Sequence, residues 1–139
     1  PEPLTEDFDA RYLYTRLKAS SREIKPFLLD QQLVAGIGNI YASEILFASG
    51  VLPQRSSHSL KMKEVQAIVE NTRRILLSAI EYNGTSVSDF RQVDEKTGEF
   101  QNFLQVYDKE SQPCPRCEVP LQRIVQQQRS TFFCIGCQK

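Results

Sequence analysis

Four cysteines at the C-terminal end of the chain constrain its fold more than any other feature. They form two Cys-x-x-Cys pairs separated by 16 residues, at Cys114, Cys117, Cys134 and Cys137. Each pair offers two thiolates from one tight turn, and the insert is long enough to return as a hairpin, so that both turns meet around one tetrahedral ion. This spacing predicts one structural zinc ion with no coordination position left for catalysis.

Two disulfides are the alternative reading of the same cysteines. Disulfides are typical of secreted proteins, whereas the sequence shows no secretory leader and no apolar run of membrane-spanning length. We therefore expect reduced thiols in a cytoplasmic protein that has no membrane partner.

The composition is that of a globular protein with one domain or one domain plus a small appendage. Of its 139 residues, 40% are hydrophobic and 24% are charged, and 17 basic residues balance 17 acidic ones. A net charge of zero argues against a surface that binds nucleic acid everywhere. The charges are segregated, however, because residues 51–80 carry five basic and two acidic side chains. A local basic surface therefore remains open.

Apolar periodicity predicts a mainly α fold that ends in a β-hairpin. Helical spacing covers residues 5–17, 20–32, 40–49 and 65–83. An extended segment over 103–107 and two strands over 121–125 and 131–133 follow. The polar, acidic stretch between the last helix and the extended segment has no period, and so long a loop is usually functional or disordered.

A turn with two glycines, Gly36 and Gly38, directly precedes the third predicted helix. Glycine allows close backbone approach, and the N–H groups at a helix start attract anions, so this turn suits a phosphate. A tight connection between helices is the simpler alternative. The dinucleotide fingerprint is absent because Tyr41 stands in place of its third glycine. Nucleotide cofactors are therefore not expected.

Four runs of residues resemble one known family in unbroken order. They are Lys25–Asp30 (KPFLLD), Leu33–Glu44 (LVAGIGNIYASE), Leu104–Tyr107 (LQVY) and Gln128–Cys134 (QRSTFFC). Together they resemble the C-terminal half of bacterial formamidopyrimidine-DNA glycosylases. The resemblance implies a helix-two-turns-helix DNA-binding domain over residues 1–108, with a base-recognition loop at 85–100, and a four-cysteine zinc finger over residues 109–139. It also implies a parent enzyme of base-excision repair that removes oxidised purines, such as 8-oxoguanine and formamidopyrimidines, and cleaves the strand at the abasic site.

The resemblance assigns DNA contacts to matched positions. It implies that Asn39 and Arg129 form a phosphate clamp around the damaged nucleotide, and an amide and a planar guanidinium are good phosphate donors. Lys25 and Tyr107 match further backbone contacts, and the turn holding Gly36 and Gly38 lies beside them. The base-recognition loop matches at Thr85, Val87, Ser88, Asp89 and Phe90, where backbone N–H groups face the flipped base. Ser88 departs from the arginine or lysine that is frequent there.

The chain begins with Pro1-Glu2, and in the family an N-terminal proline amine is the nucleophile and the glutamate follows it. The residues after them resemble the linker between the family's two domains and lack the alternation of a β-sandwich. We therefore expect no catalytic residue in this chain. The expected partners are damaged double-stranded DNA and the N-terminal catalytic domain of the same parent. We expect a monomer in the bacterial cytoplasm, associated with the nucleoid.

Two other classes of function are compatible with a zinc hairpin on a helical domain. One is a stand-alone zinc-ribbon nucleic-acid-binding module with no enzymatic parent. The other is a protein-interaction adaptor in which the zinc hairpin serves only as a scaffold. The collinear tail from Gln128 to Cys134 weighs against the stand-alone module, and the discriminator for the adaptor is whether Arg129 matters for DNA affinity.

Overall fold

In the residues that the structure describes, the fold consists of four α-helices and one antiparallel hairpin, as the sequence predicts. The computed structural model describes residues 3–30, 37–83 and 104–139, and the side chains of residues 81–83 are outside this description. In order, the elements are α1 (Ala10–Lys18), α2 (Ile24–Leu28), α3 (Asn39–Ser49), a 3-10 turn (Ser57–Ser59), α4 (Met62–Asn83), β1 (Gln122–Gln126) and β2 (Arg129–Phe133). In this part of the chain, none of the helices has the length and apolar character needed to cross a bilayer.

The first helix starts later than the sequence pattern predicts. Thr5 and Phe8 close a turn through a backbone hydrogen bond of 3.3 Å, and α1 begins only at Ala10. The carboxylate of Asp9 accepts the N–H of Tyr12 at 2.8 Å and so caps the helix. A stronger cap close to the apolar stripe therefore overrides the Thr5 start.

The bundle formed by α1–α4 has one apolar core. α2 is a single buried turn that tolerates Pro26 because the missing N–H lies in its first turn. α3 ends as predicted at Gly50, whose φ of 73° is the left-handed conformation that glycine adopts without strain. α4 is the longest helix, at 22 residues, and packs against both α1 and α3.

The hairpin formed by β1 and β2 packs on α3. Its register pairs Gln122 with Phe133 and Gln126 with Arg129, so each strand reaches one or two residues nearer the tip than predicted. Val106, Leu121 and Phe132 form a second, smaller apolar cluster, and its member from the bundle is Phe47 of α3. The zinc finger thus shares its core with one residue of the bundle.

The predicted extended segment before the finger does not pair with a strand. From Leu104 to Tyr107 the chain forms bends and turns. The N–H groups of Gln105, Val106 and Tyr107 donate to the carboxylate of Glu44 at 2.8–3.0 Å instead. A buried carboxylate therefore takes the place that a neighbouring strand would occupy.

Candidate metal centre and nucleic-acid interface

The four cysteines converge as their spacing predicts. All four Sγ atoms lie within 4.8 Å of one another, with Cys114 and Cys137 at 3.7 Å and Cys117 and Cys134 at 3.4 Å. Tetrahedral Zn–S bonds place sulfur atoms roughly 3.8 Å apart, which these distances match closely. A Cβ at Gly136 would come within 3.0 Å of Cys117 Sγ and 3.3 Å of Val119 Cγ2, so a side chain at this position would crowd the thiol cluster. These residues form the site of one structural zinc ion.

The four thiols lie close enough to perturb one another's pKa values. Burial and hydrogen bonds from the neighbouring thiols raise the pKa of Cys137 to about 12. Burial acts in the same direction on Cys114, but hydrogen bonds from the N–H groups of Arg116 and Cys117 and from the thiols of Cys134 and Cys137 outweigh it and lower the pKa of Cys114 to about 7. A zinc ion bound to the thiolates supplies the charge that stabilises them together, and four protein ligands leave it a structural role.

The zinc finger is attached to the bundle by specific contacts at its base. The guanidinium of Arg116 lies 4.5 Å from the ring centroid of Phe47 and donates to the Phe47 carbonyl at 3.3 Å. The side-chain amide of Gln138 accepts the N–H of Cys134 at 2.7 Å and donates to the Val51 carbonyl at 2.8 Å. The orientation of the finger on the bundle is therefore fixed by hydrogen bonds as well as by packing.

The second site lies where the start of α3 meets β2. Lys25 donates from Nζ to Asn39 Oδ1, to Thr131 Oγ1 at 2.7 Å and to the Ser130 carbonyl at 3.2 Å. Asn39 Nδ2 also donates to the Ser130 carbonyl, at 3.0 Å. We call these four residues the lysine junction. It joins α2, α3 and β2 and fixes the orientation of the Asn39 amide.

Burial and a neighbouring cation perturb Lys25. Its side chain is buried, and its three acceptors are neutral oxygens. Burial, followed by repulsion from Arg129, lowers the pKa of Lys25 to about 8. The site therefore has an excess of positive charge, which an anion at its surface would relieve.

Arg129 is exposed and begins β2, directly after the turn at the tip of the hairpin. The turn before it consists of Gln127 and Gln128, whose φ angles of 49° and 70° define a two-residue turn of the primed type. Such a tight turn leaves little freedom to the residues on either side. A cleft between α2 and the turn is lined by Arg22, Lys25 and Arg129 among others.

The start of α3 completes this surface. Gly38 caps the helix with an extended backbone and without a side-chain hydrogen bond. Among the described residues, a Cβ at Gly38 would meet no atom within 4 Å, so none of them blocks the helix start. The packing of these residues therefore does not require a glycine here, and they leave room for an anion at the positive end of the helix.

Tyr107 lies on the other side of β2. Its ring contacts Phe132 edge-on, with centroids 4.9 Å apart, and its N–H donates to Glu44. Burial raises the pKa of Glu44, although three backbone N–H groups oppose this shift. Gly36 and the base-recognition residues Thr85, Val87, Ser88, Asp89 and Phe90 lie outside the described residues. Their predicted contacts stay predictions, as do those of Lys25, Gly38, Asn39, Tyr107 and Arg129.

Several site residues carry no sequence signal of their own. Glu44 lies within a motif of the resemblance but has no role assigned to it there. Thr131 reads as an ordinary strand position, Gln126 reads as a polar residue just after the first predicted strand, and Gln138 reads as a polar residue near the chain end. Each is buried, with an exposed fraction of 7% or less. Only a pairing between distant segments reveals them.

Comparison with known proteins now identifies the family. Residues 1–91 match the model of the formamidopyrimidine-DNA glycosylase H2TH domain. The chain belongs to this family. Residues 111–139 match the zinc finger found in FPG and IleRS. The formamidopyrimidine-DNA glycosylase of Sodalis glossinidius is 47% identical over 138 residues, which cover 99% of this chain and 51% of that protein. The corresponding protein of Escherichia coli is 44% identical and is covered to 52% of its length.

Solved structures of the family agree with the fold. A complex of Lactococcus lactis Fpg with DNA containing an abasic site superposes with a TM-score of 0.88 at 38% identity, covering 100% of this chain and 51% of that one. MutM (FPG) from Thermus thermophilus gives a TM-score of 0.86 at 38% identity and is covered to 53% of its length. The chain thus spans about half the length of the relatives it matches.

Proposed function

We propose that this chain is the DNA-binding half of a base-excision repair glycosylase with abasic-site lyase activity that acts on oxidised purines. The observation that carries the proposal is the lysine junction, which brings the Asn39 amide and the start of α3 beside the hairpin that bears Arg129. Its excess positive charge suits a DNA backbone phosphate. The Lactococcus lactis relative forms a complex with DNA containing an abasic site, which supports the same ligand for this chain.

In this function each part of the surface has a distinct task. Arg129 and Asn39 hold phosphates on either side of the damaged nucleotide, and the helix start adds backbone N–H groups. Lys25 orients the Asn39 amide through a hydrogen bond and adds positive charge. Tyr107 contacts the DNA backbone farther along the DNA strand. These contacts bind DNA without reading its sequence, and recognition of the lesion belongs to the loop at 85–100.

Catalysis in this proposal needs the N-terminal domain of the same parent. We propose that the chain alone releases no base and cleaves no strand, because catalysis requires the N-terminal amine to be held in place against the sugar. A displacement of about 1 Å already costs on the order of a hundredfold in rate. Borohydride trapping with abasic-site and 8-oxoguanine duplexes tests this. Damage-selective adducts formed faster than those of a short Pro-Glu peptide would show instead that the chain carries its own active site. We further propose a monomer that acts on the bacterial nucleoid.

The central experiment compares Arg129→Ala with the parent chain on a short duplex that contains an abasic-site analogue. Loss of a charged phosphate contact is expected to weaken binding about tenfold or more and to reduce the slope of log K against log salt by about 0.9. Arg11, which is exposed on α1, offers a matched control because Arg11→Ala removes the same charge elsewhere. Equal effects of the two substitutions would contradict a specific contact by Arg129.

The result also separates the remaining alternatives. A protein-interaction adaptor predicts that the chain has no measurable affinity for duplex DNA. A stand-alone nucleic-acid-binding module predicts affinity that an added N-terminal domain would not change. Membership of the glycosylase family argues against both alternatives. We therefore expect that the chain binds duplex DNA and that its affinity increases when the N-terminal domain is added.

A further inference from the structure

One side-chain amide attaches the tip of the hairpin to the bundle. Gln126 is the last residue of β1 and only 7% exposed. Its Nε2 donates to Glu23 Oε1 at 3.0 Å and to the Pro53 carbonyl at 3.1 Å. Glu23 precedes α2, and Pro53 follows α3. The amide therefore connects the far end of the zinc finger to two separate segments of the bundle.

These two segments are firmly joined to each other. Glu23 and Ser56 form an isolated antiparallel bridge, and the N–H of Ile24 donates to the Arg55 carbonyl at 2.7 Å. The N–H of Lys25 donates to the Pro53 carbonyl at 3.3 Å, so this carbonyl also accepts from the helix that carries the lysine junction. Gln126 thus binds to a rigid part of the bundle, where its partner Glu23 lies two residues before Lys25.

Gln126 also lies opposite Arg129 in the hairpin. It pairs with Arg129 in the register of the hairpin, and only Gln127 and Gln128 separate the two. A two-residue turn with both φ angles positive has a narrow range of geometries. Any displacement of Gln126 is therefore passed on to the backbone of Arg129.

We propose that Gln126 is a positioning residue that holds Arg129 in place relative to Asn39 and Lys25. The inference rests on the proposed function, because Arg129 is the residue that contacts phosphate there. Zinc and Phe132 hold the base of the finger, whereas the tip lies at the far end of both strands. Near the tip, the lysine junction holds β2 through Ser130 and Thr131. The Gln126 amide anchors β1 on the other side of the turn, so that Arg129 is held from both strands.

The orientation of the amide follows from its surroundings. Exchanging its oxygen and nitrogen would place the amide oxygen, which is an acceptor, against two other acceptors, Glu23 Oε1 and the Pro53 carbonyl. The nitrogen must therefore face them. Among the described residues the Oε1 atom is buried without a hydrogen-bond partner, in a residue that lines the cleft with Arg22 and Arg129.

The first test uses two neighbouring glutamines as a matched pair. Gln126→Ala removes the anchor, while Gln127→Ala makes the same change at an exposed position of the turn. We expect Gln126→Ala to weaken binding to the abasic-site duplex about tenfold, equivalent to one or two lost hydrogen bonds, and Gln127→Ala to change it less than about twofold. Because Arg129 is still present, the salt slope should fall by less than in Arg129→Ala.

A second test reverses the polarity of the anchor. Gln126→Glu sets a carboxylate against that of Glu23 and should weaken binding more than Gln127→Glu, which adds the same charge to the turn. Glu23→Gln should restore part of the affinity of Gln126→Glu, because Gln at position 23 can donate to the new carboxylate. Glu23→Gln alone keeps an acceptor for Gln126 and should have little effect.

The outcomes separate this inference from the proposed function. If the parent chain does not bind DNA, or if Arg129→Ala binds like the parent, the proposed function fails. If Arg129→Ala weakens binding but Gln126→Ala matches Gln127→Ala, the positioning role alone is wrong. Loss of zinc or of hairpin amide protection in Gln126→Ala would also overturn it, since the residue would then hold the finger together instead of directing Arg129.

Discussion

The bundle and the zinc finger are stabilised by different means. Among the described residues, the bundle buries a contiguous cluster of 20, whereas the cluster of the finger has six, two of which are zinc ligands and one of which, Phe47, belongs to α3. A segment of about 30 residues cannot bury enough apolar surface to fold alone. The metal therefore replaces a core in the finger, while apolar burial suffices in the bundle.

The surface between the bundle and the finger differs from both regions because many of its buried side chains are polar. Its buried side chains include the polar residues Lys25, Glu44, Gln126, Thr131 and Gln138. Hydrogen bonds add little net stability, but they are strongly directional, and a buried polar group left unpaired is costly. The comparison thus indicates that apolar contacts and zinc hold each region together, while polar contacts set the angle between them. The proposed phosphate clamp depends on that angle.

Removal of zinc should break the comparison most completely. We expect a strong chelator to unfold the residues after Ser111 while α1–α4 persist, because the four thiolates supply most of the folding free energy of the finger. Amide exchange with and without chelator measures this region by region. Protection that survives in β1 and β2 without metal would show that the small apolar cluster is sufficient. Loss of protection throughout α4 would show that the two regions fold as one unit.

Two substitutions on one helix test the boundary between the regions. Ile45 and Phe47 are both buried on α3, but Ile45 belongs to the core of the bundle and Phe47 to that of the finger. Each change to alanine should cost about 2–5 kcal/mol through lost burial and a cavity. Ile45→Ala should lower the free energy of unfolding of the bundle, and Phe47→Ala should mainly increase amide exchange in the finger.

The two variants act as controls for each other. Their side chains lie two residues apart on the same helix, so both substitutions change the local helix propensity in a similar way. If both variants destabilised the same set of amides equally, the two clusters would be one cooperative core.

Titration of Lys25 should produce a smaller effect that belongs to the surface between the regions. Its pKa in the folded protein is about 8, below the 10.5 of an unburied lysine. Between these values the unfolded chain binds more protons, so this group makes the folded state more stable as pH rises, by at most about 1.4 kcal/mol per pH unit. The free energy of unfolding of the parent minus that of Lys25→Met should therefore increase from pH 8 to 10 and stay constant below pH 7. A difference that is flat throughout would contradict the lowered pKa.

The sequence predicts the two regions better than the surface between them. Helical periodicity, the glycine at position 50 and the cysteine spacing each act within a short stretch, and the structure confirms α3, α4 and the metal site. Gln126 and Glu23 are 103 residues apart, and Glu44 and Val106 are 62 apart. No local pattern distinguishes such a buried polar residue from an exposed one, because its burial depends on a distant partner. The predicted start of α1 is wrong for a related reason. Two residues can cap this helix, and side-chain geometry selects Asp9 over Thr5.

The turn at the hairpin tip should give the smallest effect. Gln127 and Gln128 both have positive φ, which asparagine and glycine adopt at lower cost than glutamine. Replacing them by Asn and Gly should stabilise the zinc-bound finger by about 0.5–1 kcal/mol, seen as slower amide exchange in β1 and β2. Gln128→Ala is the matched control, because alanine removes the side chain but keeps the Cβ that disfavours this φ. Equal protection in Gln128→Ala and Gln128→Gly would mean that the strain is relieved elsewhere, and that the tip is held by Gln126 and the bundle instead of by its own turn.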